Sequence, residues 1–96
     1  MPPAASLPVL INGAAPGAIV QLEGLLLQLW SAKPFPPGQP LQLRVTALEP
    51  ALQLEGRSLG SKRSPDGTYA LRLRLINLQK PSREALERAW ASIERG

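Results

Sequence analysis

Six basic residues supply the most regular polar pattern in this chain: Arg44, Arg57, Lys62, Arg63, Arg72 and Arg74. They sit within apolar/polar alternating runs, as in Leu71-Arg72-Leu73-Arg74-Leu75, so they fall on one face of an extended chain. Guanidinium groups in such a row can pair bidentately with phosphates or carboxylates. That allows an acidic protein surface, a phosphate-bearing nucleotide or a nucleic acid as partner. The blander reading is the solvated face of a sheet, with Gln53 and Glu55 interspersed, and it is the favoured one. Barrels that bind single strands add exposed aromatics for base stacking. By the alternation, Tyr69 lies on the core side, so this face offers none, and nucleic acid is disfavoured.

Little else could do chemistry. The sequence holds no histidine and no cysteine. The commonest general base and metal ligand are therefore missing, along with disulfides and thiolate chemistry. Asp66 is the sole aspartate and lies in a turn signature. Glu23, Glu49 and Glu55 stand beside no base. "NGAAPG" and "PPG" are turns rather than phosphate loops, since no Lys-Ser/Thr follows. The expectation is a non-enzymatic protein with no metal and no cofactor.

Aromatic and leucine-rich positions offer a second kind of contact. Trp30 and Phe35 flank "SAKP", either as exposed anchors for a partner or as plugs under the proline loop at a barrel end; the plug is favoured. Leu25 to Leu29 carries more apolar surface than one barrel wall needs. If Leu26 faces outward beside Trp30, the patch suits a protein partner or a second copy of the chain.

The elements that must position these residues follow from periodicity. At 96 residues the chain makes one domain with one core. Met1 to Ser6 reads as a loose tail, and residues 7–96 as the domain, with strands over 7–79 and a helix over 81–95. Leu7 to Ile11 is a first short strand and Asn12 to Gly17 a turn. Gly17 to Trp30 is ambiguous: Leu22, Leu25, Leu26 and Leu29 fit a helical face, but two strand halves kinked or bulged at Gly24 fit better. Ser31 to Pro40 is a proline-studded connection. Gln39 to Leu48, Ala51 to Leu59 and Thr68 to Leu75 alternate as half-buried strands. Between the last two, "SPDG" (Ser64 to Gly67) makes a hairpin turn. The phase shift at Leu75-Ile76 marks a bulge or a strand end. Pro81 suits a first helical turn, with Ser82 as the cap. Ala85, Leu86, Ala89, Trp90 and Ile93 form an apolar stripe, and Glu84–Arg88 has i,i+4 spacing. The predicted fold is mainly β: a small antiparallel barrel of about six strands with one C-terminal amphipathic helix as a lid over Leu86 and Trp90.

From Pro36 onward the chain resembles a PilZ domain. "PPGQPLQLRV", "LQLEGRSLG", "SPDG", "TYALRLRLINL" and "PSREALERAW" follow that family's order of turn, strand, strand, hairpin, strand and helix. The resemblance implies a six-stranded barrel and two motifs that bind cyclic di-GMP. One is an R-x-x-x-R in the N-terminal arm, but Met1 to Ala18 holds no basic residue. The other, D/N-x-S-x-x-G, falls on Ile19 to Gly24. Ile19 stands at its Asp/Asn position, Gln21 at its Ser position, and only Gly24 matches. Family members of this kind resemble adaptors that contact other proteins, such as components of pilus, flagellar or other cell-surface machinery.

The leading expectation is thus a PilZ-like regulatory adaptor acting through protein contacts without cyclic di-GMP. One alternative is a cyclic di-GMP receptor using Arg44, Arg72 and Arg74; another is a small nucleic-acid-binding barrel. The start of the chain has no signal-peptide pattern, and no apolar run reaches the roughly 20 residues of a membrane span. A cytoplasmic protein without membrane insertion is expected.

Overall fold

The alternation of apolar and polar residues does most of the architectural work. The computed structural model describes residues 6–95. Among them are six strands: β1 (Leu7–Ile11), β2 (Ala15–Glu23), β3 (Leu26–Ser31), β4 (Pro40–Val45), β5 (Leu52–Arg63) and β6 (Tyr69–Ile76). One helix, α1 (Lys80–Arg95), follows. In β4, Leu41, Leu43 and Val45 are buried while Gln42 and Arg44 are exposed. In β6, Leu71, Leu73 and Leu75 are buried while Arg72 and Arg74 are exposed. All neighbouring strands run antiparallel in the order β1-β2-β3-β6-β5-β4, and β4 pairs back onto β1 to close the barrel. This is the predicted mainly-β barrel with a C-terminal helix. Closure pairs every described strand on both sides over at least part of its length.

The interior is aliphatic. Ile11, Ile19, Leu27, Leu29, Leu43, Val45, Leu71 and Leu73 are buried in one cluster. Each such side chain contributes about 1.5–3 kcal/mol relative to exposure, so the barrel lumen is the dominant stabilising term. At β5, Gly56 faces inward because nothing larger fits. A Cβ there would lie 2.7 Å from the Arg74 carbonyl oxygen and collide with the Leu73 side chain.

The two barrel ends are closed by different devices. α1 covers the end where β4 leads into β5. Its Leu86 is 1% exposed within the core cluster, and Ala89, Trp90 and Ile93 pack against that cluster. The opposite end is closed by the proline-rich connection 32–39. Phe35 drops into the core from that loop, and two serines of β5 hold its backbone. The Phe35 N–H donates to Ser61 Oγ at 3.1 Å, and the buried Ser58 hydroxyl donates to the Phe35 carbonyl at 3.0 Å.

Several local expectations are revised. Gly24 is not a kink within one strand. It turns the chain between β2 and β3, with Glu23 paired to Leu26 and a φ of +60° at Gly24. A glycine with positive φ at the first central position is what a two-residue II′ hairpin requires. The bulge in β2 lies instead between Ile19 and Gln21. Asn12 and Gly13 both take positive φ (54° and 73°), so the first turn is tighter than expected and β2 starts at Ala15. β4 stops at Val45 rather than Leu48, and β5 runs on to Arg63 rather than Leu59. Ser82 is not the helix cap: α1 starts at Lys80, and the Arg83 N–H already donates to the Gln79 carbonyl at 2.9 Å. The phase shift at Ile76 is a strand end, followed by Asn77 at φ 52°. The loose tail expected over Met1 to Ser6 falls on residues 1–5, outside the described residues, except for Ser6, which is half-buried; Gly96 also lies outside them. Among the described residues no helix is long and apolar enough to cross a membrane.

Candidate functional site

β6 lies between β3 and β5, and the register of the three strands assembles a surface that no single segment displays. Three rungs cross its outer side. Leu26, Arg74 and Arg57 form the first; Gln28, Arg72 and Gly60 the second; Trp30, Ala70 and Lys62 the third. Arg57 and Arg74 are direct cross-strand partners. Their Cβ atoms are therefore roughly 5 Å apart, and like charges in that position destabilise a sheet. Among the described residues no carboxylate stands within ion-pair distance of Arg57, Arg72 or Arg74. The Arg57 guanidinium makes one hydrogen bond, donating through Nη1 to the Gly38 carbonyl at 3.2 Å. Glu55, the next outward residue on β5, accepts from Asn77 Nδ2 at 3.5 Å instead.

Apolar side chains border the arginines on both flanks. Leu26 on β3 is 37% exposed. On β5 the register skips between Ser58 and Gly60, so Leu59 is the extra residue of a bulge and is 45% exposed. A bulge re-aims a side chain in this way. These two are the large hydrophobic residues most open to solvent among those described. Leu26 faces outward on the same side of β3 as Trp30, with Gln28 between them.

The other predicted site residues are dispersed. Arg72 and Arg74 are together, and Arg57 and Lys62 join them. Arg44 does not. It pairs with Gln53 on β5 and Leu10 on β1. It is two strands from Arg74, and the register offsets it by four residues along the strand direction, a separation of roughly 16 Å. Two strands of six is about a third of the circumference, so its side chain leaves the barrel in another direction. Phe35 is not an exposed anchor: at 8% exposure it is the plug of the barrel end. Trp30 is the reverse case. It stays on the outer wall, half-buried between Ala18 on β2 and Ala70 on β6, and its Nε1 is buried with no acceptor.

Two features escaped the sequence reading. Leu59 continues the outward series Gln53, Glu55, Arg57, so its parity was the available signal. A cavity of about 560 Å³ forms an open groove between the β4–β5 connection and α1. Leu48, Pro50, Leu52, Ala85 and Ala89 supply apolar walls, and Glu49 and Arg88 are its charged residues. It exists only once the helix docks, so no local pattern announces it.

No concentration of acid–base chemistry accompanies these surfaces. Among the described residues no group of three or more carboxylate, histidine or cysteine side chains could hold a metal ion. Asp66 is held below the usual carboxylate range by the Thr68 hydroxyl first and by the Thr68 N–H second. Both donate to Oδ1, at 2.6 and 3.0 Å, which locks the "SPDG" turn. Comparison with protein-family models, curated proteins and solved structures gives no match to this chain.

Proposed function

We propose that the chain is a PilZ-like barrel that works as a regulatory adaptor through protein contacts, without cyclic di-GMP. The observation that carries this reading is the state of Ile19 to Gly24, where the resemblance would put a nucleotide motif. Ile19 is 0% exposed and belongs to the barrel core. It offers a ligand neither a polar atom nor access. Gln21, Glu23 and Gly24 are the exposed residues of that stretch, and Glu23 would repel the two phosphates of the ligand. No basic side chain lies on β1 or β2 to answer them. A receptor built on Arg44, Arg72 and Arg74 has little support, because Arg44 faces away from the other two. The resemblance also suggests the kind of partner: a protein of pilus, flagellar or other cell-surface machinery.

Calorimetric titration of the chain with cyclic di-GMP tests the reading. No binding is the expected result, and micromolar or tighter affinity would overturn it.

A further inference from the structure

We infer that the outer face of β3, β6 and β5 is the docking surface of this adaptor, and that its partner is an acidic protein segment. That segment presents carboxylates to Arg57, Arg72 and Arg74 and apolar side chains to Leu26 and Leu59. The inference rests on the adaptor reading and deepens it.

Charge is the first argument. The sheet sets Arg57 directly opposite Arg74 and places Arg72 one outward position along. With no carboxylate of the described chain within reach, this arrangement costs stability when the face is free. A partner carboxylate between the two guanidinium groups turns that repulsion into two charge-assisted contacts. Arginine is also the cation that tolerates the dehydration of an interface best.

The apolar borders are the second argument. Leu26 adjoins Arg74 on one side, and the β5 bulge raises Leu59 beside the Arg72 rung on the other. A free solvated sheet face gains nothing from two leucines left 37% and 45% exposed. An interface gains from them, since they exclude water around the ion pairs. This composition selects protein over nucleic acid: leucines give bases nothing to stack on, and the Trp30 ring lies half-buried against the barrel wall. Because β3 and β6 are paired on both sides, the partner meets this face through side chains rather than by adding a strand. The patch spans three strands and three rungs, roughly 10 by 13 Å. That is the centre of a contact rather than a whole interface, and its small size suits a weak, transient partner.

The test is a titration of the intact chain at low salt with a peptide of repeated Glu-Glu-Leu, followed through backbone amide shifts. Shifts should gather at residue 26, residues 57–60 and residues 72–74. Arg57→Glu with Arg74→Glu should weaken binding at least tenfold. Leu59→Ser, or an all-Glu peptide of the same length, should weaken it about threefold. Shifts elsewhere, no shifts, or affinity untouched by charge reversal would overturn the inference. So would tighter binding of an oligothymidylate or of phosphatidylglycerol vesicles at the same salt. If the double variant does not fold, the shift map of the unmodified chain decides. Cyclic di-GMP binding with the peptide map intact would remove the nucleotide-free reading but leave this face. No peptide contact and no cyclic di-GMP binding would remove this face but leave the adaptor reading.

Discussion

The indole of Trp30 lies on the outer barrel wall with its N–H buried and no acceptor in reach. A buried donor without a partner costs about 1–3 kcal/mol. Phenylalanine keeps most of the packing against Ala18 and Ala70 and removes the donor. Trp30→Phe should therefore leave stability unchanged or raise it by up to about 1 kcal/mol in urea unfolding. A clear loss would mean that the N–H is bonded in solution. Gly56 makes the opposite case. Its missing Cβ leaves room for the Leu73 side chain and the Arg74 carbonyl on β6. Gly56→Ala should cost about 2–3 kcal/mol, the scale of overpacking a close-packed interior. It should also disturb Arg74, which that carbonyl belongs to. Equal urea midpoints for the variant and the unmodified chain would show that the barrel wall yields there.

At the scale of elements, α1 is anchored through Leu86, which among the described residues is the one helix side chain fully inside the core cluster. Leu86→Ala should cost about 3 kcal/mol, the usual range for emptying such a site being 2–5. If α1 were a loosely attached tail, the unfolding midpoint would barely move. The strands on either side of the "SPDG" turn were readable because period two and period 3.6 do not resemble each other. The same pattern failed around Gly24 for a physical reason. A two-residue hairpin keeps an apolar residue in the turn, so Leu25 hid the reversal inside what reads as one leucine-rich run. β5 was cut short because its bulge at Leu59 shifts the inward positions by one residue. The docking face lay one step further from view. Alternation says that Arg57, Arg72 and Arg74 point outward, but only the register says that two of them meet and that Arg44 does not.

For the molecule as a whole, the formal charge is +4. Among the described residues the exposed cations of the β3–β6–β5 face have no carboxylate partners. Salt then has mainly repulsion to screen, and the Debye length falls from about 30 Å at 0.01 M to about 8 Å at 0.15 M. The midpoint of thermal unfolding should rise over that range. A surface held by ion pairs would show the reverse. Arg74→Glu separates the causes, because it puts a carboxylate directly opposite Arg57 and converts the like-charge pair into an attractive one. A favourable cross-strand pair contributes roughly 0.2–1 kcal/mol, and the repulsion it replaces is of similar size. The variant should unfold at a higher temperature than the unmodified chain and respond less to salt, while losing the acidic peptide. Stability gained and binding lost in one substitution is what a surface selected for a partner predicts. A face that is merely solvated would gain stability and have no binding to lose.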